Sequence, residues 1–256
     1  MKIIVVNIRR LLFYLLVLVA TVLVISAVSI KGMEALGVFT SNREIPIYSV
    51  DVPDKAVSIT FDCAWGADDI PEILKTLKEA DIKATFFIVG QWGERYPETV
   101  KMMAQNGHDI ANHSYSHFRM GSLDRAKISS EIKLCGNLIE RLTGNKCDLF
   151  RAPFGDYNND LLLEARQQGY YTIQWDVDSL DWKPGISRGE ILQRINMKIK
   201  PGSIILFHND TTHTAKLLPE IISELKAKGF EFVPVSELII RENYYIDDEG
   251  CQKNST

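Results

Sequence analysis

Asn112-His113-Ser114-Tyr115-Ser116-His117 follows directly on a strand-like run, His108–Asn112, and carries two of the chain's five histidines four positions apart. In an extended strand those two rings would share a face but stand about 13 Å apart, too far to share an ion. On a helical turn the rise is only about 6 Å, and both could converge on one metal. A metal reading therefore requires the chain to leave its strand near Asn112. Taken alone, H-x-x-x-H also describes surface or capping histidines, so the rest of the chain has to decide.

Outward from that stretch, short apolar runs alternate with helical periodicities. Ala56–Phe61, Ala84–Val89, His108–Asn112, Leu149–Arg151, Tyr170–Trp175, Ser203–Phe207 and Phe230–Pro234 read as strands rich in β-branched and aromatic residues. Between them, Asp68–Ala80, Glu98–Asn106, Ser122–Thr143, Asn159–Gln168, Arg188–Ile199 and Ala215–Lys228 repeat apolar residues at three and four, and Val235–Arg241 reads as a short closing helix. This alternation predicts an α/β fold with a parallel sheet, either a barrel or an open doubly wound sheet. No G-x-G-x-x-G follows any strand, so dinucleotide binding has no support.

The strand ends then become informative, because active sites of parallel barrels gather there. Asp62 and Cys63 follow the first strand, and His113 and His117 the third. Arg151, Pro153 and Phe154 follow the fourth. Asp176, Asp178, Asp181 and Trp182 follow the fifth, and His208 follows the sixth. Each has a plainer reading: Asp62 as a helix cap, Arg151 as a structural ion-pair partner, Asp176 and Asp178 as solvated loop acids, Trp182 as core. Their convergence on one rim outweighs any single motif. His108 and His213 match no such pattern and read as structural.

In order, Ser58-Ile59-Thr60-Phe61-Asp62, Asn112–His117, Arg151-Ala152-Pro153-Phe154, Asp178-Ser179-Leu180-Asp181-Trp182 and Ile205-Leu206-Phe207-His208 resemble the five motifs of the polysaccharide deacetylase family, the NodB homology domain of carbohydrate esterase family 4. The resemblance spans about Lys55 to Ile240. The Asp62–Gly66 and Asp176–Trp182 sequences further resemble the PdaB-type sporulation branch. The resemblance implies a distorted (β/α) barrel of NodB type with about seven parallel strands. It also implies hydrolysis of N-acetyl groups on amino sugars of a cell-wall glycan, with a divalent metal, usually zinc. On these positions His113 and His117 would bind the metal, Asp62 would be the base and His208 the general acid. Arg151 would hold Asp62, Asp181 would orient His208, the Phe154 N–H would receive the oxyanion, and Trp182 and Leu206 would wall the acetyl pocket. One position departs from the pattern: where most members have a second aspartate as third metal ligand, this chain has Cys63. Either its thiolate completes the site, which zinc chemistry allows, or it packs inward and the metal keeps two protein ligands. The second outcome would suit a weak or inactive wall-binding protein. A glycosidase using Asp178 and Asp181 would need carboxyls set across a bond and leaves the paired histidines unexplained.

The first residues stand apart. Lys2, Arg9 and Arg10 precede Leu11–Ile30, twenty residues without a formal charge, long enough to span a bilayer and lacking a good small-x-small cleavage site. Residues 1–31 are expected as a cytoplasmic stub and N-terminal transmembrane helix, 32–54 as a linker, 55–241 as the deacetylase domain and 242–256 as a polar tail. The basic flank would keep the N-terminus cytoplasmic and the domain outside, membrane-anchored. The net charge of −4 argues against nucleic acid as a partner, and no obligate protein partner is expected. Cys63, Cys135, Cys147 and Cys251 do not look like a disulfide framework for a domain of this size; Cys135 and Cys147 could pair outside the cell, though unpaired buried thiols are the preferred reading for both.

Overall fold

The central strand, β2 (Ala56–Cys63), is buried along nearly its whole length, as expected of a parallel strand covered on both faces. A computed structural model describes residues 15–22 and 43–255. From Glu44 onward the chain forms one compact unit. Within it β1 (Ser49–Val50) and β2 are followed by α1 (Ile70–Glu79), β3 (Thr85–Ile88), α2 (Gly90–Arg95), α3 (Pro97–Gln105) and β4 (Asp109–Asn112). Then come α4 (Arg125–Thr143), β5 (Leu149–Phe150), α5 (Asn159–Gln167), β6 (Tyr171–Thr172), β7 (Val177–Asp178), α6 (Arg188–Lys198) and β8 (Ile204–His208). The chain ends in α7 (Thr214–Ala227), β9 (Glu231–Phe232), α8 (Val235–Leu238), β10 (Tyr244–Ile246) and β11 (Cys251–Asn254).

The main sheet runs β6-β5-β4-β3-β2-β8-β7, with β9 added to β2, and all its pairings are parallel. Among the described residues β6 and β7 do not pair, so the expected barrel is a half-barrel open between them. Strand alternation sorts the core into two layers. Ile59, Phe61, Cys63, Phe86 and Ile88 face the helices, in one cluster with Ile70, Leu74 and Trp92. Phe87, Ala111, Leu149, Ile204 and Val235 fill the concave side.

Local chemistry explains most helix ends. Asp124 caps α4 by accepting from Lys127 N at 2.8 Å, and Gly144 closes it with φ 76°. Ser122, where the helix is expected to begin, lies in a 3-10 turn just upstream. Ser187 and Glu190 form a full capping box on α6. The six-residue α2, which lacks a side-chain cap, gives no sequence signal.

The expected polar tail is structured. β10 and β11 pair antiparallel across a turn at Asp247–Gly250, and β1 joins β11 in parallel. Asp247 Oδ1 accepts from Glu249 N and Cys251 N, and Gly250 takes φ 81°. The end of the expected linker is therefore part of the domain. At Gly202, φ 78°, a Cβ would fall on the Val50 carbonyl oxygen, so this close approach needs glycine. The expected anchor falls largely outside the described residues; residues 15–22 are helical. No described helix is long and apolar enough to cross a membrane.

Gln252 on β11 is fully buried, accepting from Ile240 N at 2.9 Å and donating to Ile240 O at 2.6 Å. Gln252→Ala should cost about 1–3 kcal/mol by leaving those backbone groups unpaired. Urea unfolding at neutral pH measures this, and an unchanged midpoint would mean that the C-terminal strands are not integral.

Candidate active site

Asp62 and Arg151 meet where β2 and β5 end. Arg151 is fully buried; its Nη1 donates to Asp62 Oδ1 at 2.7 Å and Thr60 Oγ1 at 2.9 Å, and its Nη2 to Gln174 O at 3.1 Å. The guanidinium lies 3.9 Å over the Phe87 ring. Burial pushes the Asp62 carboxyl up, but Arg151, then His113 and His208, outweigh it and hold the group below the usual carboxylate range.

The histidine turn converges by a route other than a helical turn. The strand stops at Asn112, and Ser114 (φ 63°) and His117 (φ 58°) take left-handed conformations that fold the chain back. The His113 and His117 ring centroids come within 5.1 Å. Asn112 holds the start of the turn, its Oδ1 accepting from Ser114 N at 2.9 Å and its Nδ2 donating to Ile132 O at 2.7 Å. Glu131, fully buried on α4, holds the middle, accepting from Tyr115 N at 3.1 Å and Ser116 N at 2.7 Å, with Lys127 Nζ at 2.9 Å. Sequence reading missed Glu131. The available signal was a charged residue inside the apolar stripe Ile128, Ile132 and Cys135.

His113 Nδ1 lies 2.8 Å from Arg151 O, so Nδ1 carries the proton and Nε2 is left as a lone pair, 3.4 Å from Asp62 Oδ2. Burial lowers the pKa of His113, and burial with the His113 charge lowers that of His117 to about 3. Both imidazoles are therefore neutral, in the form that binds metals.

A third donor does not join them. Cys63 sits in the apolar layer facing the helices and does not line the cleft. Burial, then Asp62 and Asp69, push its thiol well above the usual value. Among the described residues no group of three His, Cys, Asp or Glu side chains is arranged to hold a metal. The expected ligand set of His113, His117 and Cys63 is thus brought together only as the histidine pair, and the residues present do not fit a three-donor centre.

On the opposite wall His208 ends β8. Its Nδ1 lies 2.8 Å from Asp181 Oδ1, and its backbone N donates to Asp181 Oδ2 at 2.7 Å. Buried Thr214, not singled out from sequence, donates to the same Oδ2 at 2.6 Å. Burial lowers the His208 pKa, but Asp181, helped by Asp62 and Asp178, raises it overall. The proton on Nδ1 faces Asp181, and Nε2 is left for the cleft.

The cleft, about 500 Å³, is lined by Asp62, His113, His117, Phe154, Trp182, Leu206 and His208, with Asp178 and three residues not expected there, Trp65, Arg119 and Trp175. Arg151 and Asp181 stand behind it as supports. Phe154 has φ 61° on the Pro153–Gly155 turn, its ring 4.6 Å from that of His117 and beneath Arg119. Asp176 is structural, accepting from Ser203 Oγ and Ile204 N. His108 accepts from Ala84 N, and His213 bonds Ile186 O.

The polysaccharide deacetylase family model matches residues 49–173. A peptidoglycan-N-acetylglucosamine deacetylase from Bacillus cereus is 34% identical over 71% of this chain and 67% of its own length. The chain belongs to the polysaccharide deacetylase family. A peptidoglycan-N-acetylmuramic acid deacetylase from Bacillus subtilis is 28% identical over 76% of this chain and 75% of its own. A crystal structure of a CE4-family pseudoenzyme from Bacillus anthracis superposes with a TM-score of 0.73, is 35% identical, and covers 75% of this chain and 68% of its own. Family membership and geometry agree on a NodB-type fold with its cleft at the strand ends.

Arg151→Met should destabilise the fold by about 3–5 kcal/mol, because the buried Asp62 carboxylate loses its counter-charge. Guanidinium unfolding of the purified domain checks this, and a loss below about 1 kcal/mol would mean that the pair does not carry the site.

Proposed function

We propose that this chain removes N-acetyl groups from amino sugars of a cell-wall glycan, peptidoglycan or a related N-acetylglucosamine polymer. The observation that carries the reading is a pair of groups biased in opposite directions across one cleft: Asp62 kept anionic by Arg151, and His208 kept protonated by Asp181. Amide hydrolysis needs a base for water and an acid for the departing amine. With the acetyl group between Trp182 and Leu206, Asp62 takes a proton from water as the water oxygen attacks the acetyl carbon. The Phe154 N–H receives the developing oxyanion. His208 protonates the amine nitrogen, the C–N bond breaks, and acetate leaves with a free amino sugar behind. The family is one whose members generally use a divalent ion, zinc by resemblance. The two neutral imidazoles support such an ion less fully than a three-donor set would.

The proposal extends to place. The uncharged run Leu11–Ile30 behind Lys2, Arg9 and Arg10 supports a membrane anchor with the domain outside the cytoplasm. Use in spore formation rests on the PdaB-like sequences at Asp62–Gly66 and Asp176–Trp182. A second reading, a wall-binding protein that has lost the chemistry, is favoured by the place of Cys63 in the apolar layer.

The purified domain should release acetate from N-acetylated oligosaccharides, measured with and without added zinc. Asp62→Asn should lower the rate about 10²–10⁴-fold in protein that circular dichroism shows to be folded, with a lowered thermal midpoint because the buried Arg151 guanidinium loses its counter-charge. No acetate from any such substrate in either condition would overturn the enzymatic reading in favour of the binding one. Because His208 must be protonated to act as acid, kcat/KM should hold up to pH values above the ordinary imidazole value of 6.5 and then fall. A fall already complete below 6.5 would remove His208 from that role.

A further inference from the structure

Phe154 sits at φ 61° and ψ 9°, a left-handed conformation that a bulky residue keeps only when its surroundings hold it there. Core packing does not supply the hold, because the residue is 54% exposed. The hydrogen bonds of the turn fix its neighbours: Gly155 N donates to Ala152 O at 3.2 Å, and Asp156 N to Pro153 O at 3.1 Å. Phe154 N makes no hydrogen bond among the described residues. The one N–H that an oxyanion would need is thus left to be aimed by something other than the turn.

What bears on Phe154 is contact at its ring. The ring of His117, a residue itself at φ 58°, lies 4.6 Å away, and the Arg119 guanidinium stands over the Phe154 ring at 4.6 Å. A cation over an aromatic face is attracted by the quadrupole of the ring, and the planar guanidinium can also stack on it.

Arg119 comes ready placed for this contact. Two residues on, Gly121 N donates to Asp156 Oδ2 at 3.1 Å, and Gly121 O accepts from Asn158 Nδ2 at 2.8 Å. A Cβ at Gly121 would meet Asp156 Oδ1 at 2.9 Å, so the approach is close as well as bonded. Met120, between Arg119 and Gly121, is fully buried in one cluster with Phe150 and Ala152. The chain leaving the histidine turn is thereby fastened to the segments before and after Phe154.

Resting on the deacetylase reading above, we propose that Arg119 is a positioning residue for the oxyanion donor. By bearing on the Phe154 ring it keeps that residue at positive φ, and so keeps the Phe154 N–H directed at the acetyl oxygen. Arg119 also lines the cleft, but its guanidinium acts on the ring and not on the sugar.

Arg119→Gln removes the guanidinium at an exposed position, so circular dichroism and the thermal midpoint should be unchanged. In acetate release from an N-acetylated oligosaccharide, kcat should fall about three- to tenfold with KM unchanged, the pattern of an interaction made only in the transition state. Phe154→Gly supplies the discriminating background, because glycine keeps the N–H and takes positive φ without strain. In that background Arg119→Gln should lower kcat by less than about twofold further. An equal loss in the glycine background, or a loss confined to KM, would mean that Arg119 meets the substrate directly, and either overturns the proposal. An unchanged kcat in Arg119→Gln overturns it as well, and so does a loss repaired by added zinc, which would place the effect at His117. If the parent protein releases acetate from no substrate, the deacetylase reading fails. The Cα and Cβ chemical shifts of isotopically labelled Phe154, which report the sign of φ, then decide the positioning by themselves. Shifts that leave the left-handed range in Arg119→Gln uphold it, and shifts identical to those of the parent sink it.

Discussion

A guanidinium with no exposed surface, paired to a carboxylate that is almost as deeply buried, is the constraint around which this domain is arranged. Removing two charges from water is repaid only when geometry and additional hydrogen bonds are good. Here Arg151 reaches Asp62 and Thr60 on β2, the Gln174 carbonyl beyond β6 and the Phe87 ring on β3. Its own backbone closes the set, with Arg151 N donating to Asn112 O at 2.9 Å and Arg151 O receiving His113 Nδ1. One side chain and its peptide group thereby tie four neighbouring strand ends to a common level. The parallel sheet makes this possible, because parallel neighbours end on the same side and in register.

The cleft then works by contrast between its walls. Burial by itself would neutralise both Asp62 and His208, and each is kept charged by a partner outside the cleft. Pairs of titratable groups whose surroundings drive them apart are the recurrent basis for dividing base from acid. The two also reinforce one another, since the imidazolium favours the carboxylate and the carboxylate favours the imidazolium. Thr214 belongs to this balance. By bonding the Asp181 oxygen that also receives the His208 amide, it fixes the carboxylate plane while leaving the other oxygen for Nδ1.

The strand ends were legible from sequence because parallel strands buried on both faces read as continuous apolar runs, and the residue that breaks each run is the one delivered to the rim. Asp62, His113, Arg151 and His208 all fall where that logic puts them. The convergence of His113 and His117 was legible as a requirement, though not as a conformation. Serine gives no local signal for positive φ and histidine only a weak one, and the turn is held by Glu131 from a helix that joins it only in the folded chain. The C-terminal strands were opaque for another reason. Three- and four-residue strands in a polar sequence carry no usable period, and their stability comes from β1 and from the Gln252 bonds to Ile240. The Asp247–Gly250 turn was the one local cue.

Cys63 shows how a two-residue boundary changes a chemical conclusion. If the strand ended at Phe61, residues 62 and 63 could both turn toward the rim, and a thiolate beside two imidazoles would be reasonable zinc chemistry. The strand instead runs through Cys63, whose ladder partner is Ile88 and whose carbonyl accepts from Val89 N at 3.1 Å. Consecutive strand residues face opposite sides. Once Asp62 is committed to Arg151, residue 63 must enter the layer that holds Ile70 and Trp92. A thiol is at home there, as one of the most readily buried side chains. A carboxylate in that layer would bear the desolvation cost without a counter-charge. An acidic third donor at this position therefore requires β2 to release its last residue from the ladder. The side chain and the length of the strand have to change together, which is why the histidine pair is formed here while the three-donor set is not.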